Sequence, residues 1–165
     1  MSFDFFDKYF IDLVRINSQE IKMKLSTSKI ELQHALQKLS KATPTRSTLP
    51  ILSSVLFEVQ ETQTILRTTD LEITIIVNLP TSVEKPGNIA IPLQTLQDIT
   101  NEFSDDVRIT INADENNKIK ITTIDGSYDI MGKPSEEFPA IPEIDNRKSI
   151  GISVEALKDM ILKTS

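Results

Sequence analysis

The feature that most constrains this chain is internal repetition. The run from Ile150 to Met160 (IGISVEALKDM) lies against the run from Ile89 to Ile99 (IAIPLQTLQDI) with identical or similar residues at most positions. The two runs start about sixty residues apart, and each reads as a short strand leading into a helix. An earlier copy fits more loosely. Leu32, Ala35, Leu36 and Leu39 correspond to Leu96, Ile99, Thr100 and Phe103 as a stripe at helical spacing. A strand–helix–three-strand unit therefore occurs twice and begins a third time. Each half is expected to be one antiparallel sheet with one covering helix, an α+β arrangement with both helices on the same face and a pseudo-twofold between the halves.

In the first unit, Ser28 followed by Glu31 is a capping box that starts a helix. His34, Lys38 and Lys41 share its second face at i, i+4 and i+7, with Gln37 beside them and no acid after Glu31. Three strands follow. Ile51–Val59 is largely apolar, Thr64–Thr68 is short, and Leu71, Ile73, Ile75, Val77 and Leu79 alternate with more polar positions, which gives one buried face. Residues 81–88 read as a loop. In the second unit Pro92 opens the helix. Val107, Ile109 and Ile111 pair with Ile119 and Ile121 through a turn at 114–117, and Asp125-Gly126 signals a hairpin into Tyr128 and Ile130. Pro134, Pro139 and Pro142 mark 133–146 as an interdomain linker.

This reading divides the chain into an extension at 1–22, a domain at 23–145, and a linker end with the first strand and helix of an incomplete second domain at 146–165. In that last piece Val154, Leu157, Met160 and Ile161 form an apolar stripe with no sheet to cover it. Irregular packing from Lys148 onward and self-association at high concentration are expected. The extension holds five of the nine aromatic residues, and Phe6, Tyr9, Phe10 and Leu13 follow helical spacing. One reading is an amphipathic helix that docks on a partner or a membrane surface. The preferred one is a segment outside the fold, since Met23-Lys24-Leu25 reads like a natural beginning.

Composition narrows the function classes. The absence of cysteine excludes a disulfide framework and thiolate metal sites. No apolar run reaches membrane-spanning length, and Asp4, Asp7 and Asp12 break up any secretory core, so a cytoplasmic protein is expected. A net charge of −6 argues against gripping nucleic acid by bulk charge but leaves room for a basic face. No catalytic constellation is present. His34 is alone, four glycines are too few for a phosphate-cradling loop, and Asp70 with Glu72 reads as a turn more readily than as a metal pair. Pro44 and Pro50 frame an ordered connector that carries Arg46, Ser47 and Thr48, all groups able to bind a phosphate.

The stretch Arg46-Ser47-Thr48-Leu49-Pro50-Ile51-Leu52, then Thr69-Asp70-Leu71-Glu72, the Pro92 helix start, the Asp125-Gly126 turn and Phe138-Pro139 come in a familiar order. From about Met23 onward the chain resembles the first domain of the bacterial replicative sliding clamp, the β subunit of DNA polymerase III. That resemblance implies the DNA-clamp fold and a processivity factor without catalytic groups or cofactors. It implies a closed ring of two chains that encircles duplex DNA without sequence specificity and serves DNA polymerase III and the clamp loader. It places His34, Lys38, Lys41, Arg46 and Ser47 toward DNA, and Tyr128, Ile130 and Ile99 at the subunit interface. The second helix departs from the pattern, because Gln94, Thr95, Gln97, Asp98, Asn101 and Glu102 bring no positive charge. The resemblance also makes this an amino-terminal part of such a protein, without the peptide-binding region between the second and third domains. Two further classes compete with it: a stand-alone interaction module that adds a sheet edge to a partner, and a hydrolase using Asp70 and Glu72.

Overall fold

Met23 and Leu25 are fully buried on the strand β1 (Ile21–Ser28), and Ser28 then stops the strand and caps the helix α1 (Lys29–Leu39). The Ser28 hydroxyl accepts the Glu31 N–H at 3.2 Å, satisfying a helix-end donor as the capping box requires. The computed structural model describes residues 20–44, 47–140 and 151–164. The expectations for residues 1–19, for Thr45 and Arg46, and for 141–150 lie outside the described residues. After α1 come β2 (Ser54–Val59), β3 (Thr64–Thr69), β4 (Thr74–Leu79), β5 (Ser82–Lys85) and β6 (Gly87–Pro92). The helix α2 (Leu93–Glu102), the strands β7 (Arg108–Asp114), β8 (Lys118–Thr122) and β9 (Ser127–Met131), and the helix α3 (Val154–Thr164) complete the order.

The repeat is realised as two antiparallel sheets, ordered β5-β1-β7-β8-β9 and β4-β3-β2-β6. The expectation that each unit closes on its own sheet is corrected by this topology. β1 of the first unit pairs with β7 of the second, and β6 of the second pairs with β2 of the first. The five-stranded sheet therefore takes β7, β8 and β9 from the second unit and β1 and β5 from the first, and the four-stranded sheet takes β2, β3 and β4 from the first unit and β6 from the second. One core results from the exchange, with Leu25, Leu36, Phe57, Ile91, Leu96 and Ile111 from both sheets and both helices in a single cluster. Apolar periodicity identified the strands but carries no information on which neighbour completes each ladder.

Five features also differ from the sequence reading. Residues 82–85 form β5, not loop, because Val83 packs against the core and pairs with Leu25. The segment Pro50–Ser53 ahead of β2 is a 3₁₀ turn that proline starts, with the Leu52 N–H donating to the Leu49 carbonyl at 3.1 Å. β4 begins at Thr74, and Leu71 and Ile73 are 60% and 59% exposed in the preceding turn. There the Asp70 carboxylate accepts N–H groups from Ile73 at 2.7 Å and Glu72 at 2.9 Å, while the Thr69 hydroxyl accepts that of Leu71 at 3.0 Å. These bonds hold Leu71 at φ 81°, a left-handed conformation costly for a branched side chain. Residues 133–138, read as the start of a linker, pack on the domain through Lys133 and Phe138. Residues 151–153 form no strand, and every apolar side chain of α3 is exposed.

Candidate nucleic-acid interface

α1 separates its residues by face. Leu32, Ala35, Leu36 and Leu39 are buried, which leaves His34, Gln37 and Lys38 exposed on the other side, followed by Lys41 in the 3₁₀ turn Ser40–Ala42. None of His34, Lys38 and Lys41 takes part in an ion pair among the described residues. The Lys38 and Lys41 ammoniums thus meet no carboxylate within 4.0 Å among the described residues. Ser47 is exposed too, and its hydroxyl accepts the Leu49 N–H at 3.0 Å, so its own proton remains free to donate. Arg46 lies outside the described residues.

α2 lies beside α1, and the contact shows the pseudo-twofold in its chemistry. By the correspondence of the apolar stripes, Gln33 matches Gln97, Leu36 matches Thr100 and Gln37 matches Asn101. These six residues line one shallow cleft between the helices. The Gln33 amide donates to Asn101 at 3.0 Å, and the Gln97 amide donates to the Leu36 carbonyl at 3.3 Å. Sequence reasoning missed this bridge, although the matched amides were a usable signal. The exposed groups of α2 are Gln94, Thr95, Asp98, Asn101 and Glu102, with no basic residue. The helix pair therefore presents lysines on the α1 side, neutral amides along its seam, and the acids Asp98 and Glu102 on the α2 side.

A second contact joins the two units at the start of α1. Lys29, at the start of α1, is only 4% exposed, and its ammonium reaches Asp105 at 2.5 Å. The Asp105 carboxyl is held below its ordinary value, first by the Lys29 hydrogen bond and then by the Lys29 charge. Asp70 is likewise lowered, chiefly by the Ile73 N–H and then the Glu72 N–H, which makes it the acceptor that shapes its turn.

Of the candidate subunit-interface residues, Tyr128 and Ile130 lie on β9, which ends its sheet among the described residues, and Ile99 lies on α2. Tyr128 and Ile130 stand opposite Ile121 and Ile119, on the inward face of the ladder. Tyr128 is 40% exposed, and its ring meets Phe103 edge-on, with centroids 5.6 Å apart. Ile130 is partly buried against the core, and Ile99 is 8% exposed within it. The structure thus leaves Tyr128 exposed on the edge strand, backed by Phe103, and buries Ile99 in the core.

Two exchanged sheets, a pseudo-twofold and a side-by-side helix pair define the class, a DNA-clamp domain. The chain belongs to the DNA polymerase III beta subunit family, whose N-terminal domain matches residues 23–142. It is 30% identical over 144 residues to the beta sliding clamp of Synechocystis sp., covering 83% of this chain and 37% of that relative. The crystal structure of the DNA polymerase III subunit beta from Pseudomonas aeruginosa is similar with a TM-score of 0.78 at 27% identity, covering 84% of this chain and 38% of that one. The beta subunit from DNA polymerase of Streptococcus pyogenes shares the fold with a TM-score of 0.80 at 24% identity, covering 86% and 38%.

Proposed function

We propose that this chain acts as the amino-terminal domain of a DNA sliding clamp, a non-catalytic processivity factor that holds a replicative polymerase on duplex DNA. The observation that carries the reading is the exposed pair Lys38 and Lys41 at the end of α1, without an ion pair among the described residues, on a clamp fold. Lys38 and Lys41, with Arg46, Ser47 and His34, contact phosphates and read no bases. α2 contributes neutral amides and spacing. Residues 23–145 form the first clamp domain, and 146–165 open a second unit of the same kind. In a two-chain ring the β9 edge, with Tyr128 and Ile130, meets a neighbouring domain, and DNA polymerase III and a clamp loader are the partners of the assembly. Its setting is the cytoplasm.

Fluorescence anisotropy against duplexes of unrelated sequence tests the proposal. Weak binding of equal strength to all of them is expected at low salt. Strong preference for one sequence, or no binding at any salt, contradicts it. A second reading rests on the open β9 edge, where Tyr128 and Met131 are 40% and 61% exposed. In that reading the domain is an interaction module that adds a strand to a partner. Duplex binding separates the two.

A further inference from the structure

Beyond β9 the chain does not leave the domain at once. Gly132 donates its N–H to the Asn117 carbonyl at 2.8 Å, and Lys133 exchanges both backbone hydrogen bonds with Ala90 on β6, at 2.8 and 3.1 Å. The passage is tight, since a Cβ at Gly132 would stand 2.7 Å from Ile119 Cδ1 and 3.0 Å from the Ala90 carbonyl oxygen. The Lys133 ammonium then reaches the Pro50 carbonyl at 2.6 Å. A 3₁₀ turn at Ser135–Glu137 delivers Phe138, 7% exposed, into a small cluster with Ile51, Leu52, Leu56 and Ala90. Leu56 and Ala90 alternate with Val55, Phe57, Ile89 and Ile91 of the main core, so this cluster lies on the opposite face of the sheet.

The pseudo-twofold gives the segment a counterpart. After the last strand of the first unit, β5 crosses to pair with β1. After the last strand of the second unit, Lys133 crosses to pair with β6, the equivalent of β1. The two crossings lead to different places. β5 runs on into β6, whereas the second crossing packs on Pro50–Leu52. Those residues end the loop that carries Ser47. From them the contacts continue through the Leu52 N–H on the Leu49 carbonyl and the Leu49 N–H on the Ser47 hydroxyl.

We infer that residues 132–138 are a positioning strap, in which Lys133 and Phe138 hold the Pro50–Ser53 turn and, through it, the Ser47 end of the candidate phosphate-contact loop. The strap acts through this turn and touches no nucleic acid itself. It also covers the edge of β6, which would otherwise present unpaired backbone groups. The mechanical part stands on the contacts alone, and only the consequence for DNA rests on the function proposed above.

Amide hydrogen exchange on the full chain tests it, with Phe138→Ala and Lys133→Met compared with the parent and with Phe138→Leu as the conservative rescue. The Leu49, Leu52 and Ser54 amides are expected to exchange about tenfold faster or more in the first two variants, with Ile111 and Ile121 unchanged and Phe138→Leu near the parent. Unchanged exchange at Leu49, Leu52 and Ser54 overturns the strap. A rise of the same factor at Ile111 and Ile121 overturns it too, since the cluster would then serve only global stability. Duplex titration of the same variants is the second arm, and a weaker affinity in Phe138→Ala with restoration in Phe138→Leu is expected. A parent that binds no duplex refutes the DNA reading and leaves the exchange result to judge the strap.

Discussion

Truncating Phe57 to alanine probes whether the exchanged strands make the two units one cooperative body. Phe57 is fully buried on β2, opposite Leu66 on β3 and Ile89 on β6, inside the cluster that both helices and both sheets share. Replacing a buried phenylalanine ring by a methyl group costs about 3–5 kcal/mol, from lost transfer energy and from the cavity left behind. A domain of this size has a total stability of about 5–15 kcal/mol, so the variant remains folded with a reduced margin. Its thermal midpoint is expected to fall by about 10–20 °C in a single transition. The sharper readout is where the loss appears. Because β6 binds the second unit to β2 and β1 binds the first to β7, the amides of β7 and β8 should lose as much protection as those of β2 and β3, about two to four orders of magnitude. Ile76→Ala, on a side chain 53% exposed at the β4 edge, serves as the control and is expected within about 0.5 kcal/mol of the parent. Two separate transitions in Phe57→Ala, or protection lost in β2 and β3 alone, would refute the single-core reasoning.

Gly87→Ala places a Cβ 2.4 Å from the Lys22 carbonyl oxygen, a backbone atom that cannot swing aside, so a loss of about 1–3 kcal/mol is expected in urea titration. The Asp105 carboxyl is lowered in the folded chain from its ordinary value of 3.8, so the stability it contributes is fully present above that value and lost as pH falls through the folded one. Acid titration of Asp105→Asn should therefore show its deficit against the parent shrink below pH 3.8. A deficit constant through that range would show that the Lys29 pairing contributes nothing. Tyr128→Lys combined with Ile130→Lys places two charges on the β9 edge, and sedimentation is expected to show self-association in the parent and none in the variant. A parent that stays monomeric at every concentration would show the edge to be protected already.

The helices were legible because their apolar stripes carry two readable periods, one within each helix and one between the units. Ser28 and Glu31 announced the first helix, and Pro92 announced the second. What stayed hidden depends on contacts between distant residues. Nothing in the composition of Ile21–Ser28 says that it completes the sheet of the other unit. The prolines at 134 and 139 signalled a linker with equal weight whether the chain departed or, as Phe138 shows, folded back first. Leu71 and Ile73 satisfied the alternation test, yet the side chains of Thr69 and Asp70 drew the backbone into a turn. At Asp125-Gly126 the hairpin was legible but its form was not, because Thr123 and Gly126 close a longer loop at 2.8 Å and Gly126 has no positive φ. The charged face of α1 followed from spacing. Its partner surface, the paired amides of Gln33, Gln97 and Asn101, needed the pseudo-twofold to be seen.

The salt dependence of duplex affinity tests whether the α1 face holds duplex DNA through phosphates. Each phosphate contact contributes about −0.9 to the slope of log affinity against log salt concentration. The full chain is expected to show a slope of about −2 to −3 from Lys38, Lys41 and Arg46. Lys38→Gln with Lys41→Gln should flatten it by about two units, with the fold unchanged by circular dichroism. A double variant that keeps both the parent slope and the parent affinity would place DNA on another surface and rule out phosphate contacts by Lys38 and Lys41.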